Sequence, residues 1–364
     1  MSSRASPRPC SSRSERGLRR LLLVAVLSSQ AACSSLSYYA QSARGQLGVM
    51  AASRPVEEVL SDPLTGPEVQ RRLVQLPELH RFAREELGLV DSRSFLSYAE
   101  VGREALVWSV VAAPVDSLQA RQWCYPLLGC ASYRGYFHEA AARAYADELA
   151  GEGWDVAVEP VPAYSTLGWF SDPLPSTVID WPMADIAALV FHEMAHEALY
   201  VNDDSAFNEA YATVVEKEGV RRWVQRYGTE HERREHARRE RRRGDYLALL
   251  AATRERLQTL YAAGLQRDEM HARKAAVFAR LRADYAAMKD AWGGYAGYDR
   301  WFARPLNNAH LASVDTYHAW EPALATLLQE LGGDMAAFHE ACRAIGDMPP
   351  AQRQARLSAL LGDS

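Results

Sequence analysis

Apolar residues recur at helical spacing from Tyr38 to Ser53 and again from Pro67 to Leu87, with the breaker stretch Ser61-Asp62-Pro63-Leu64-Thr65-Gly66 between them. Two N-terminal helices are therefore expected. The pattern then shortens. Leu106 to Val111 is rich in β-branched and aromatic residues and predicts a strand, and His138 to Ala150, stopped by Gly151, predicts a helix leading into a second strand at Trp154 to Val161. Tyr164 to Phe170 reads as a third extended piece, ahead of the proline-bearing loop Asp172-Pro173-Leu174-Pro175. A helix starting at Pro182, with Asp180 near its N-cap region, runs through Ala184-Asp185-Ile186-Ala187-Ala188-Leu189-Val190-Phe191, so apolar that it must be buried.

Beyond Phe207 nearly every segment has helical periodicity. The stretch from Arg221 to Asp290 is long, charged and poor in breakers, and predicts a helical hairpin. Its run from Arg233-Arg234 to Arg241-Arg242-Arg243 is interleaved with Glu232, Glu235 and Glu240 and lacks stacking aromatics, the pattern of a solvated, salt-bridged helix face. The fold class is α+β, with a small mixed sheet and an extensive, mainly helical remainder. The expected division is an export segment at 1–33, an α+β core at 34–220 and a helical region at 221–364 packing on that core.

With 364 residues, 48% of them hydrophobic, the chain can bury a substantial core, and a formal net charge of −5 gives no general attraction to nucleic acid or anionic lipid. The N-terminus departs from this average. Arg4, Arg8, Arg13, Arg16, Arg19 and Arg20 precede the apolar run Leu21 to Leu27, and Ser28-Ser29-Gln30-Ala31-Ala32-Cys33 follows. A basic region, an apolar run too short to span a bilayer and small residues describe an export signal. Cys33 is positioned as a lipobox cysteine, with Gln30 where leucine is usual; simple cleavage nearby and an uncleaved anchor are the alternatives. The expected location is the periplasmic side of a bacterial outer membrane. Cys124 and Cys130 flank a Pro/Gly turn and, in an oxidising compartment, are expected to pair; Cys342 lies in an apolar helical pattern and is expected to be a buried thiol.

The buried helix carries His192-Glu193-Met194-Ala195-His196. Residues four apart share a helix face, so both imidazoles can hold one Zn²⁺ while Glu193 acts as general base on the attacking water. A chance match with hydrogen-bonded histidines is the alternative. Burial of three such side chains costs several kcal/mol unless they are paired or hold a metal, which favours a metal. The third ligand is expected to be Glu209, on a helix that begins near Phe207 after the turn Asn202-Asp203-Asp204-Ser205. Glu216 and Asp204 are its rivals, and Glu216 is otherwise expected to orient a histidine. Tyr317, His318, Tyr211 and His310 are candidates for the oxyanion donor, Tyr317 being preferred.

Several stretches together resemble the bacterial predicted aminopeptidases, zinc-dependent HExxH lipoproteins of gluzincin-like type. These are Tyr38-Tyr39-Ala40-Gln41 with Gly45-Gln46-Leu47, Trp123-Cys124 with Gly129-Cys130, Tyr133-Arg134-Gly135-Tyr136-Phe137, Ala163 to Pro173, the metal motif, Phe207-Asn208-Glu209 and Asn307-Asn308-Ala309. The resemblance covers nearly the whole chain after Cys33. It implies a zincin-like core, His192, His196 and Glu209 as ligands, Glu193 as base, and removal of N-terminal residues from peptides. Tyr164 to Phe170 is the candidate edge strand for pairing with substrate backbone, Arg134 a candidate partner for a peptide carboxylate, and Glu197, Asp203 and Asp204 candidates to receive a free α-amine. An endopeptidase, a cell-wall peptide hydrolase and a non-catalytic envelope-assembly lipoprotein are the competing functions.

Overall fold

The computed structural model describes residues 37–125, 129–166, 169–312 and 320–362. The export segment with Cys10 and Cys33, and the pair Tyr317 and His318, lie outside the described residues. The first helix, α1, covers 37–51. It is followed by β1 (Ser53–Pro55), α2 (Val56–Ser61), α3 (Pro67–Leu73) and α4 (Leu76–Glu85). The periodic stretch from Pro67 to Leu87 is thus two helices rather than one. Pro77 stands in the first turn of α4, where its missing N–H costs nothing; within a continuous helix it would break the ladder.

Next come β2 (Ser97–Ala99), β3 (Val107–Pro114), β4 (Trp123–Tyr125), β5 (Gly129–Ala131), β6 (Arg134–Tyr136), α5 (Glu139–Gly151), β7 (Trp154–Val161) and β8 (Leu174–Pro175). β3 is the centre of an antiparallel sheet, flanked by β6 and by β7, with Ser109 opposite Gly135 and Glu159. β2 pairs antiparallel with β1 and parallel with β8. β4 and β5 form a hairpin joined by a Cys124–Cys130 disulfide.

The extended reading of Tyr164 to Phe170 is corrected by the structure. None of the described residues of that segment is in a strand. The buried Asp172 carboxylate accepts from the Thr166 backbone N–H at 2.6 Å and its hydroxyl at 2.8 Å, and Phe170 N–H donates to the same hydroxyl oxygen. Side-chain acceptors thus take the N–H groups of Thr166 and Phe170 that a ladder would need.

The remainder is helical: α6 (Met183–Ala198), α7 (Ser205–Tyr227), α8 (Glu230–Ala262), α9 (Arg267–Ala291), α10 (Asp299–Phe302), α11 (308–312), α12 (Glu321–Glu330), α13 (Met335–Gly346) and α14 (Pro350–Gly362). The hairpin is α8 and α9; residues from Arg221 to Tyr227 finish α7, and Thr229 with Glu232 forms a capping box that restarts the helix. The chain is α+β, mostly helical, with small sheets.

One apolar cluster joins α2 to α4, α6, α7 and α12 to α14, and Phe191, Phe207, Tyr211 and Phe338 are among its fully buried side chains. Each such side chain contributes roughly 1.5–3 kcal/mol relative to exposure. Cys342 is a buried free thiol within it. A second cluster joins Leu249, Leu250 and Leu257 of α8 to Phe278, Leu281 and Tyr285 of α9, with Phe302 and Leu311.

Candidate metal centre

The motif is positioned by the packing of α6 on α7. Ile186, Ala187, Val190, Phe191, Met194 and Ala195 bury one side of α6. Gly219 of α7 allows close approach, because a Cβ there would lie 2.7 Å from both Phe191 and Leu87 side-chain carbons. The connection between the helices is held by side chains. Asn208 accepts from Val201 N–H and donates to Val201 C=O, both at 2.8 Å, and Asp204 caps α7 by accepting from Phe207 N–H. Asp204 also pairs with the buried Arg353 at 2.8 Å, which makes it a structural residue and removes it from the ligand and α-amine candidates.

These constraints bring Glu209, in the second turn of α7, beside both histidines. His192 Nε2 lies 3.2 Å from His196 Nε2 and 3.3 Å from Glu209 Oε2, and His196 Nε2 lies 3.7 Å from Glu209 Oε1. One ligand atom from each residue falls within 4.8 Å of the others. Two ring nitrogens facing each other at 3.2 Å, with the Glu209 carboxylate beside both, are what a shared cation would resolve. The donor set of two imidazoles and one carboxylate fits a divalent metal, so His192, His196 and Glu209 could hold such an ion.

Glu216 is the carboxylate behind the ligands. Its Oε2 is 3.0 Å from His192 Nδ1, while its Oε1 accepts from Arg243 Nη1 at 3.1 Å. A proton on Nδ1 shared with Glu216 leaves the Nε2 lone pair of His192 free to face a metal.

The charges are compressed into a small volume. Burial pushes the Glu193 carboxyl up to about 7, His192 opposes the shift, and the negative charges of Glu209, Asp172 and Glu216 add to it. Burial also lowers His196, to about 4. For His192 burial acts the same way, but the bonded carboxylates of Glu209 and Glu216 outweigh it and hold the imidazole well above its usual range. Burial raises Glu209 and Glu216, yet His192 and His196 together hold Glu209 below its usual value, and His192 with Arg243 does the same for Glu216.

The remaining candidates separate. Tyr211 is buried in the core and its hydroxyl meets His339 Nδ1 at 2.9 Å. His310 contacts Asn307 and lines a cavity with Trp108, Val158 and Arg304 that none of the metal-ligand candidates touches. Neither is at the motif. Arg134 lies over the Tyr145 ring, 4.6 Å from its centroid. Asp203 has a left-handed backbone, φ 60°, and its Oδ1 sits where a Gly129 Cβ would go. Glu197 is half-buried and its Oε1 makes no hydrogen bond.

Tyr200 is a neighbour the motif reading missed. Its ring packs edge-on to His196, 6.5 Å between centroids, and burial, with the charges of Glu209 and Asp203, raises its phenol. Its place four residues after His196 was the available signal.

The family model described as "Aminopep: Putative aminopeptidase" matches residues 37–357. The chain belongs to this family. That match takes in α6, α7 and all the metal-ligand candidates. No curated protein and no solved structure matches the chain.

Proposed function

We propose that the chain is a zinc-dependent aminopeptidase of zincin-like type, removing N-terminal residues from peptides in the cell envelope. The observation that carries this reading is the convergence of His192, His196 and Glu209 ligand atoms within 4.8 Å of one another, with Glu193 on the same helix as the histidines. The family description supports the peptidase class. Zinc suits two imidazoles and one carboxylate, and when bound it supplies the Lewis acidity that lets water attack an amide near neutral pH.

Glu193 takes a proton from the attacking water and passes it to the departing amine. A carboxyl titrating at about 7 is matched to both tasks. Glu216 holds the Nδ1 proton of His192, and Arg243 holds Glu216. The phenol of Tyr317 donates to the developing oxyanion in this proposal, with Tyr200 beside His196 as the alternative donor. Glu197 offers its unbonded oxygen to the free α-amine.

The test is hydrolysis of aminoacyl amides and of N-blocked peptides by wild type and Glu193→Gln, with metal content measured in parallel. The reading requires that Glu193→Gln keep the metal and lose turnover, and that free-amine substrates be preferred. Equal cleavage of blocked peptides would make the enzyme an endopeptidase; a metal-bearing wild type inert on both would remove the catalytic reading. Export and lipid attachment at Cys33 belong to the same proposal, on the strength of the basic and apolar N-terminal segment. Fatty-acid labelling that survives Cys33→Ala would refute the attachment.

A further inference from the structure

The arginine run of α8 divides into two kinds of residue. Arg234 pairs with Glu230 and Arg238 with Glu235, contacts within one exposed helix. Arg239 and Arg243, four apart and so on one face, reach across to other helices: Arg239 to Asp185 of α6 at 3.0 Å, and Arg243 to Glu216 of α7 at 3.1 Å. Only the second contact leads to the ligands, because the other oxygen of the same carboxylate is 3.0 Å from His192 Nδ1.

We infer that Arg243 is a positioning residue for the metal centre, fixing through Glu216 the ring orientation and tautomer of His192; the inference rests on the metallopeptidase reading. The reason is geometric. Glu216 stands on the same helix as Glu209 and has one oxygen committed to each neighbour. Held from one side only, its carboxylate can rotate, and His192 Nδ1 loses the acceptor that points Nε2 at Glu209. With Arg243 in place, both Glu216 oxygens are engaged and His192 is fixed without any contact from the arginine to the ligands. The arm reaching in from α8 thus couples the docking of the helical hairpin to the grip on the ion. Arg243 also faces Glu240 and Glu321, and of these three carboxylates Glu216 is the one whose other oxygen lies 3.0 Å from His192 Nδ1, so Glu216 is the contact that gives it this role.

The experiment measures zinc affinity by chelator competition and the visible spectrum of the cobalt-loaded protein for wild type, Arg243→Ala, Arg243→Lys, Glu216→Gln and the Arg243→Ala/Glu216→Gln pair, with Arg239→Ala as control. Arg243→Ala is expected to weaken zinc binding about tenfold and change the cobalt spectrum, as for loss of an outer hydrogen-bond partner. Arg243→Lys should recover part of the loss, Arg239→Ala should bind as wild type, and the double variant should be no weaker than Glu216→Gln alone. Wild-type affinity and spectrum in Arg243→Ala, or additive losses in the double variant, would overturn the inference. If Arg243→Ala fails to fold, Arg243→Met and Arg243→Lys decide it by the same two readouts. A wild type that binds no metal defeats the metallopeptidase reading along with this one, whereas a metal-binding, active wild type beside an unaffected Arg243→Ala defeats this one alone.

Discussion

The α6–α7 pair and the α8–α9 hairpin are both long antiparallel helix pairs rich in ionisable residues, yet they use charge in opposite ways. In α8 the acids and arginines alternate at three- and four-residue spacing and satisfy one another in water, as Arg234 does with Glu230. In α6 and α7 surface pairs such as Arg221 with Glu218 also occur, but a second set of ionisable groups lies where the two helices face each other and crowds. His192, Glu193, His196, Glu209 and Glu216 interact with one another where α6 faces α7, partly or fully buried, and Glu193 is pushed up to about 7 by its burial. The density of charge says little about where chemistry happens. What distinguishes the site is the convergence of His192, His196 and Glu209, whose ligand atoms lie within 4.8 Å of one another, beside a Glu193 carboxyl raised by burial. The two regions meet at Arg239 and Arg243, and the carboxylate partner of Arg243 also holds a ligand candidate.

The largest effect that would sharpen this contrast is on Glu193. Glu193→Gln is expected to lower kcat/KM by at least about 10²–10⁴-fold, the usual contribution of a general base, without loss of metal. The same group sets the pH dependence. A base must be deprotonated to act, so activity is expected to fall as pH drops through about 7, and a flat profile from pH 8 to pH 5 would break the assignment.

A smaller effect is expected at Asn208, which holds the backbone of Val201 from both sides. Asn208→Ala leaves Val201 N–H without its partner and Val201 C=O with only the Asp204 N–H at 3.3 Å, and is expected to cost roughly 2 kcal/mol in chemical denaturation, with weaker metal binding because Glu209 is the next residue. Smallest is Arg238→Ala on α8, where the paired Glu235 remains in water. A Tm change of less than about 2 °C is expected, and a larger one would mean that the exposed face contributes more than its geometry allows.

How much of this was legible in the sequence follows the range of the interactions. The strand Trp154–Val161 and the helices around it are set by local periodicity and read directly. The metal helix begins one residue after Pro182 for the same reason. The His192–His196 spacing is a property of one helix, and Glu209 followed from a helix returning after a short turn. The failures are contacts and positions that periodicity does not register, some local and some between distant residues. Asp172 taking the Thr166 N–H, and Thr166 the Phe170 N–H, overrode an apolar stretch that reads as a strand. Pro77 split a periodic helix because its position relative to a helix start is invisible to periodicity. Tyr211 was attractive as a tyrosine close to the motif in sequence, but its place on α7 turns it toward His339 in the core. Arg243, twenty-seven residues after Glu216, was hidden among arginines most of which pair within α8 or, like Arg239, with a carboxylate away from the ligands.

The central claim is that Glu209 completes a metal centre with His192 and His196. Zinc content of the purified wild type and of Glu209→Ala, after removal of adventitious metal and titration with zinc, tests it most directly. The account predicts about one tightly held ion per chain in wild type, as a single site of this type binds, and a loss of at least one order of magnitude in affinity for the variant. A wild type that holds no zinc, or a Glu209→Ala protein that binds it as tightly, would contradict the account.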